Sequence, residues 1–90
     1  MTEKERYYLE PLLEYIYRGY TEFEFHFPNG QIVQGHFEEI HEPYYEDDIF
    51  ELDFTCTKVI RNADRLDKWR VGSFFVISLE SYPEYFKLLG

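Results

Sequence analysis

The spacing of apolar residues changes near residue 20, and the change divides the chain into a helical part and a β part. Leu9, Leu12, Leu13, Ile16 and Tyr17 recur at the three-and-four spacing of one helix face. Ahead of them, Thr2-Glu3-Lys4-Glu5 has the T-x-x-E form of a capping box, in which hydroxyl and carboxylate each satisfy a free backbone N–H. Pro11 lacks an N–H and crowds the preceding turn. The pattern therefore predicts a kink at Pro11 or a shorter helix that has Pro11 in its first turn, ending at Arg18-Gly19.

From Tyr20 the period falls to two. Phe23, Phe25 and Phe27 alternate with Glu22, Glu24 and His26, as in a strand with one buried face. Pro28-Asn29-Gly30 signals a turn, and residues 31–40 read as the returning strand. One pairing that keeps the phenylalanines inside sets Phe27 near Val33, Phe25 opposite Gly35 and Phe23 opposite Phe37. In it, Gly35 leaves room for the Phe25 ring or for a bend. Residues 41–48 contain Pro43 and read as a loop. The next strand sets Phe50, Leu52, Phe54 and Cys56 on one face, and Glu51, Asp53, Thr55 and Thr57 on the other. Residues 61–67 read as a polar turn or a single helical turn. Short strands are expected at 69–71 and 74–79, on either side of Gly72-Ser73, and a short helix at 82–89. A helix followed by about five short strands in 90 residues predicts a mainly β fold. The expected form is a single domain over 1–90: a small Sm/SH3-like barrel with an N-terminal helix and a short C-terminal helix.

Composition sharpens this picture. The chain is 44% hydrophobic and 21% aromatic, enough for a core and unlike a disordered segment. Its net charge of −9 argues against nucleic acid and anionic membrane as default partners, because both reward Lys and Arg. Cys56, the one cysteine, forms no internal disulfide and fits a reducing compartment. The charged N-terminus leads into no apolar signal region, and the longest apolar run, Phe74-Phe75-Val76-Ile77, is far short of a membrane span. A cytoplasmic location is the expectation.

Gly30, Val33, Gly35, Phe37 and Ile40 resemble the first motif of the Sm-like family, which includes Hfq and the LSm proteins. Pro11, Leu12, Leu13 and Ile16 are similar to that family's N-terminal helix, and the resemblance spans residues 11–41. It implies a small barrel. It does not carry over the family's RNA site, which uses an Asp after the last hydrophobic position and an Asn soon after. Here His41 takes the first place and Glu42-Pro43-Tyr44-Tyr45 supplies no Asn. The second motif's Arg-Gly step is also split in Trp69-Arg70-Val71-Gly72-Ser73. Asn29-Gly30-Gln31 and the run Ile77-Ser78-Leu79-Glu80-Ser81-Tyr82-Pro83-Glu84 resemble the acidic Rof-type modulators of the Rho termination factor. That likeness implies action by binding a protein.

Charge is unevenly distributed. Between Gly19 and Thr57 stand Glu22, Glu24, Glu38, Glu39, Glu42, Glu46, Asp47, Asp48, Glu51 and Asp53, with no Lys or Arg. Such a stretch is a solvated face in the plain reading and a docking face for a basic partner in the functional one. The expected contact residues are Glu38, Glu39, Glu42, Tyr44, Tyr45, Glu46, Asp47 and Asp48, with the tyrosines as aromatic anchors. The partner expected is a protein with a basic surface, for example a nucleic-acid-binding protein whose site is occupied. Lys58, Arg61, Arg65, Lys68 and Arg70 around Trp69 define the alternative, an RNA-binding segment with a stacking platform. Asp64 and Asp67 dilute that segment, and a mixed-charge loop with Trp69 in the core is its plainer reading.

Other chemistry finds less support. His26, His36 and His41 near Glu24 offer zinc-type ligands, but without a Cys pair or an H-x-x-H spacing. A cross-strand Glu24–His36 pair is the simpler reading, and no metal or other cofactor is expected. Glu46-Asp47-Asp48 lacks the spacing and glycine of a calcium loop. Cys56 falls on an apolar face. Ser73, Ser78 and Ser81 lie in no nucleophile motif, and Gly19, Gly30, Gly35, Gly72 and Gly90 form no phosphate loop. The chain reads as a non-enzymatic regulatory or interaction module, with its oligomeric state left open.

Overall fold

A computed structural model describes residues 2–45, 48–62 and 70–90. Helix α1 (Glu3–Tyr17) is followed by strands β1 (Glu22–His26), β2 (Ile32–His41), β3 (Glu51–Arg61), β4 (Phe74–Ile77) and β5 (Tyr85–Leu88). The five strands form one open antiparallel sheet in the order β4-β3-β2-β1-β5. The mainly β character and the strand number match the sequence reading. Among the described residues, no helix is long and apolar enough to cross a membrane.

The capping box forms as its spacing predicts. Glu5 N–H donates to Thr2 Oγ1, and Thr2 N–H donates to Glu5 Oε1, both at 3.1 Å. The helix then runs on through Pro11. Pro11 is exposed, as is Tyr7, whose carbonyl loses its partner four residues on. Arg18 is the C-cap, and Gly19 takes the left-handed conformation (φ 99°) that ends the helix. The buried face comprises Glu5, Leu9, Leu12, Leu13 and Ile16. Tyr17, expected on this face, is exposed.

The first hairpin pairs two residues out from the expected register. Phe25 lies opposite Val33 and Phe23 opposite Gly35, with Glu24 opposite Gln34. The turn decides this. Gly30 N–H donates to Phe27 O at 3.0 Å, and Phe27 N–H donates to Gln31 O at 2.8 Å, so residues 28–30 alone make the connection. Gly30 adopts φ 92° there, a conformation costly for a residue with a side chain. A slip of two keeps every phenylalanine on its face, so burial did not distinguish the two pairings.

The other corrections fall in the C-terminal third. Residues 82–89 form no helix, and Tyr85–Leu88 is instead the fifth strand, paired with β1. Phe86 and Leu88 pack on the core while Tyr85 and Lys87 point outward. Arg70 and Val71 are not in a strand, and Trp69 lies outside the described residues. Of the turn expected at 61–67, Arg61 instead ends β3, and residues 63–67 lie outside the described residues. The expected count of five strands therefore holds with a different fifth member.

One core joins helix and sheet. Leu9, Leu12, Leu13 and Ile16 share a buried cluster with Phe23, Phe25, Val33, Phe50, Leu52, Phe54, Cys56, Phe75 and Ile77. Phe54 lies at its centre, stacked on Phe75 at 5.4 Å and edge-on to Phe25 at 4.9 Å. Gly35 accommodates the ring of Phe75, the atoms of which would stand 2.6 Å from a Cβ added at Gly35.

Candidate functional site

The ladder between β2 and β3 contains three irregularities, and one of them builds the site. Val33, Gly35 and Phe37 turn inward at alternate positions, and strict alternation would continue inward at Glu39 and His41. The register shifts between Phe37 and Glu39, leaving Glu38 without a partner across the ladder. This β-bulge reverses the faces beyond it. Ile40 now packs on the core, opposite Leu52, while Glu39 and His41 face solvent. On β3 the alternation is unbroken: Leu52 and Phe54 are buried, and Glu51 and Asp53 sit on the other side.

Four ionisable residues thus occupy four corners of one patch. Glu39 lies opposite Asp53, and His41 opposite Glu51. His41 reaches diagonally, with Nε2 2.6 Å from Asp53 Oδ2 and 3.8 Å from Glu39 Oε2. The hydrogen bond to Asp53, joined by the charges of Asp53, Glu39 and Glu51, raises the His41 pKa above its ordinary value. Among the described residues, His41 is the only cationic partner that Glu39 and Asp53 have. Glu38 accepts a hydrogen bond from Thr55 Oγ1 at 2.9 Å.

The loop after β2 completes this end of the molecule. A cleft of about 310 Å³ opens between His41, Glu42, Asp48, Ile49 and Glu51. Tyr44 and Tyr45 are 86% and 70% exposed, their rings edge to face at 4.9 Å. Asp48, expected as a contact residue, lines this cleft, and its Oδ2 accepts from the amides of Tyr44 (3.1 Å) and Tyr45 (2.9 Å). Glu46 and Asp47 lie outside the described residues.

Glu24 departs furthest from its expected place. It is only 6% exposed and has no bond to His36, which lies opposite Glu22. Gln34 Nε2 donates to Glu24 Oε1 at 3.1 Å, His26 Nε2 lies 2.9 Å from Oε2, and Lys87 Nζ of β5 lies 3.4 Å from the same oxygen. The Gln34 amide above all, with His26 and Lys87, lowers the Glu24 pKa against the upward pull of burial. This group ties β5 to β1 and β2.

In the alternative basic segment, Lys58, Arg61 and Arg70 are exposed, whereas Arg65, Lys68 and Trp69 lie outside the described residues. Cys56 is fully buried beside Phe54, and burial pushes its thiol pKa up.

No family model, curated protein or solved structure matches this chain. Its described elements are one helix and an open five-stranded sheet, with an acidic patch at the β2–β3 end. Of the expected contact residues, Glu38, Glu39, Glu42, Tyr44 and Tyr45 gather at this end. Sequence reasoning did not single out His41, Glu51 and Asp53 as one group. The available signal was the break in parity between Phe37 and Ile40, which a bulge satisfies.

Proposed function

We propose that this chain is a non-enzymatic interaction module that docks a basic protein surface at the β2–β3 end. The observation that carries the reading is the concentration of Glu38, Glu39, Glu42, Glu51 and Asp53 beside two exposed tyrosines. Among the described residues, none of these five carboxylates has a Lys or Arg partner. Glu39, Glu51 and Asp53, held on a paired ladder, keep their spacing without a further ordering cost, and the field of the group steers a cationic partner into contact. Tyr44 and Tyr45 supply the apolar area that charge alone does not, as aromatic anchors do at interfaces. The helix followed by five antiparallel strands in the order β4-β3-β2-β1-β5 supports an Sm-like architecture, here with the sheet open between β4 and β5. The acidic composition supports the Rof-like mode of action, occupation of a partner's basic site, in a cytoplasmic setting.

The test is affinity capture from the native host, with proteins and nucleic acids both identified. Wild-type chain is compared with a Glu38→Lys/Glu42→Lys variant, each at low and high salt. Capture of a basic protein that is lost on charge reversal and weakened by salt supports the reading. Capture of RNA alone, retained in the variant, replaces it with the basic-segment alternative.

A further inference from the structure

We infer that Glu39, His41 and Asp53 form a binding site for a divalent transition-metal ion, with zinc the ion their donors fit best. One imidazole nitrogen and two carboxylate oxygens from these residues all lie within 4.8 Å of one another. Zinc holds such ligands at about 2.0–2.2 Å, which sets neighbouring ligand atoms about 3.4 Å apart in a tetrahedral site. His41 Nε2 stands 2.6 Å from Asp53 Oδ2 and 3.8 Å from Glu39 Oε2, values on either side of that spacing. Side-chain shifts on the order of 1 Å bring all three onto one ion. Zinc would take the place of the proton shared by His41 and Asp53, releasing it to solvent as metal binding to histidine does.

The donors stand on a paired ladder. Glu39 and Asp53 are direct cross-strand partners, and His41 follows two positions along the same face because the bulge after Phe37 has turned both outward. Glu51, opposite His41, brings a third carboxylate to the patch. A single imidazole cannot balance three carboxylates, and among the described residues no Lys or Arg pairs with Glu39, Asp53 or Glu51. A dication supplies the missing charge. The imidazole selects the metal: magnesium and calcium favour oxygen ligands throughout, whereas zinc accepts nitrogen and oxygen together. Three protein ligands leave one position of a tetrahedron for water.

This site does not depend on the docking proposal, and its test uses the metal alone. Zinc is titrated calorimetrically into the chelator-treated full chain, with magnesium in parallel, while NMR follows the His41 ring. The expected result is one saturable zinc site, a selective shift of the His41 ring resonances, and at least about tenfold weaker magnesium binding. His41→Asn and Asp53→Asn should each weaken zinc by about tenfold or more. His36→Asn, on a half-buried histidine outside the patch, should leave it unchanged. Zinc binding that His41→Asn does not weaken, magnesium binding of equal strength, or no saturable site would each overturn the inference. The wild-type His41 resonances decide the matter even if a variant fails to fold.

Discussion

The carboxylate of Glu5 accepts the backbone N–H of Phe50 at 2.8 Å, across 45 positions of sequence. The other oxygen of the same group closes the capping box with Thr2. One buried side chain therefore both starts α1 and fixes the chain immediately before β3, where Glu51 enters the acidic patch. The Thr2 amide first, and the Phe50 amide after it, lower the Glu5 pKa despite its burial.

Glu5→Ala should cost more than an ordinary cap residue, because it leaves the Phe50 N–H unpaired in a buried setting. The expected loss is about 1–3 kcal/mol. It should appear as a lower urea midpoint with an unchanged slope. A change within error of zero would mean that Glu5 does not hold β3.

Acid should destabilise the fold through Glu5 and Glu24. Both have folded-state pKa values below the unfolded one, so their contribution is complete above the unfolded value, about 4.3. It is lost as pH falls through the folded values, where the native carboxylates finally take up protons. Stability measured from about pH 6 down to pH 2 should therefore drop on its acid limb. A Glu5→Gln/Glu24→Gln variant should be less stable at neutral pH and flatter with acid. An unaltered acid limb would contradict these assignments.

Gly35 and Phe75 form a packing pair. A methyl group at Gly35 would stand 2.6 Å from the Phe75 ring, which is itself almost fully buried. Gly35→Ala should cost about 1–3 kcal/mol by overpacking. Combining it with Phe75→Leu should cost less than the two single changes added together, as a double-mutant cycle would read. Strict additivity would place the ring elsewhere.

Legibility in the sequence varied from element to element, for physical reasons. The Thr2–Glu5 spacing and the alternation through Phe50, Leu52, Phe54 and Cys56 each admit one local solution, and both formed as read. The hairpin register admitted two, because a slip of two residues conserves every buried face, and turn hydrogen bonds chose between them. The run Tyr82-Pro83-Glu84-Tyr85-Phe86-Lys87-Leu88-Leu89 suits a helix start as well as a strand. Pairing with β1, a tertiary event, settled it as a strand. The acidic patch was legible as charge along the chain, but its membership was not. Glu24 is buried and bonded to Gln34, His26 and Lys87, and Asp48 bonds its own loop, whereas the bulge brings Glu39 and His41 to Asp53.

The most direct test of the docking account is the salt-dependent capture of a partner by the β2–β3 end. Wild-type chain immobilised through its C-terminus should retain a basic protein from host extract at low salt and release it as salt rises. Glu38→Lys/Glu42→Lys and Tyr44→Ala/Tyr45→Ala should each abolish retention while leaving the thermal midpoint nearly unchanged, since all four side chains are exposed. Retention that survives both variants and high salt, or the absence of any retained protein, would contradict it.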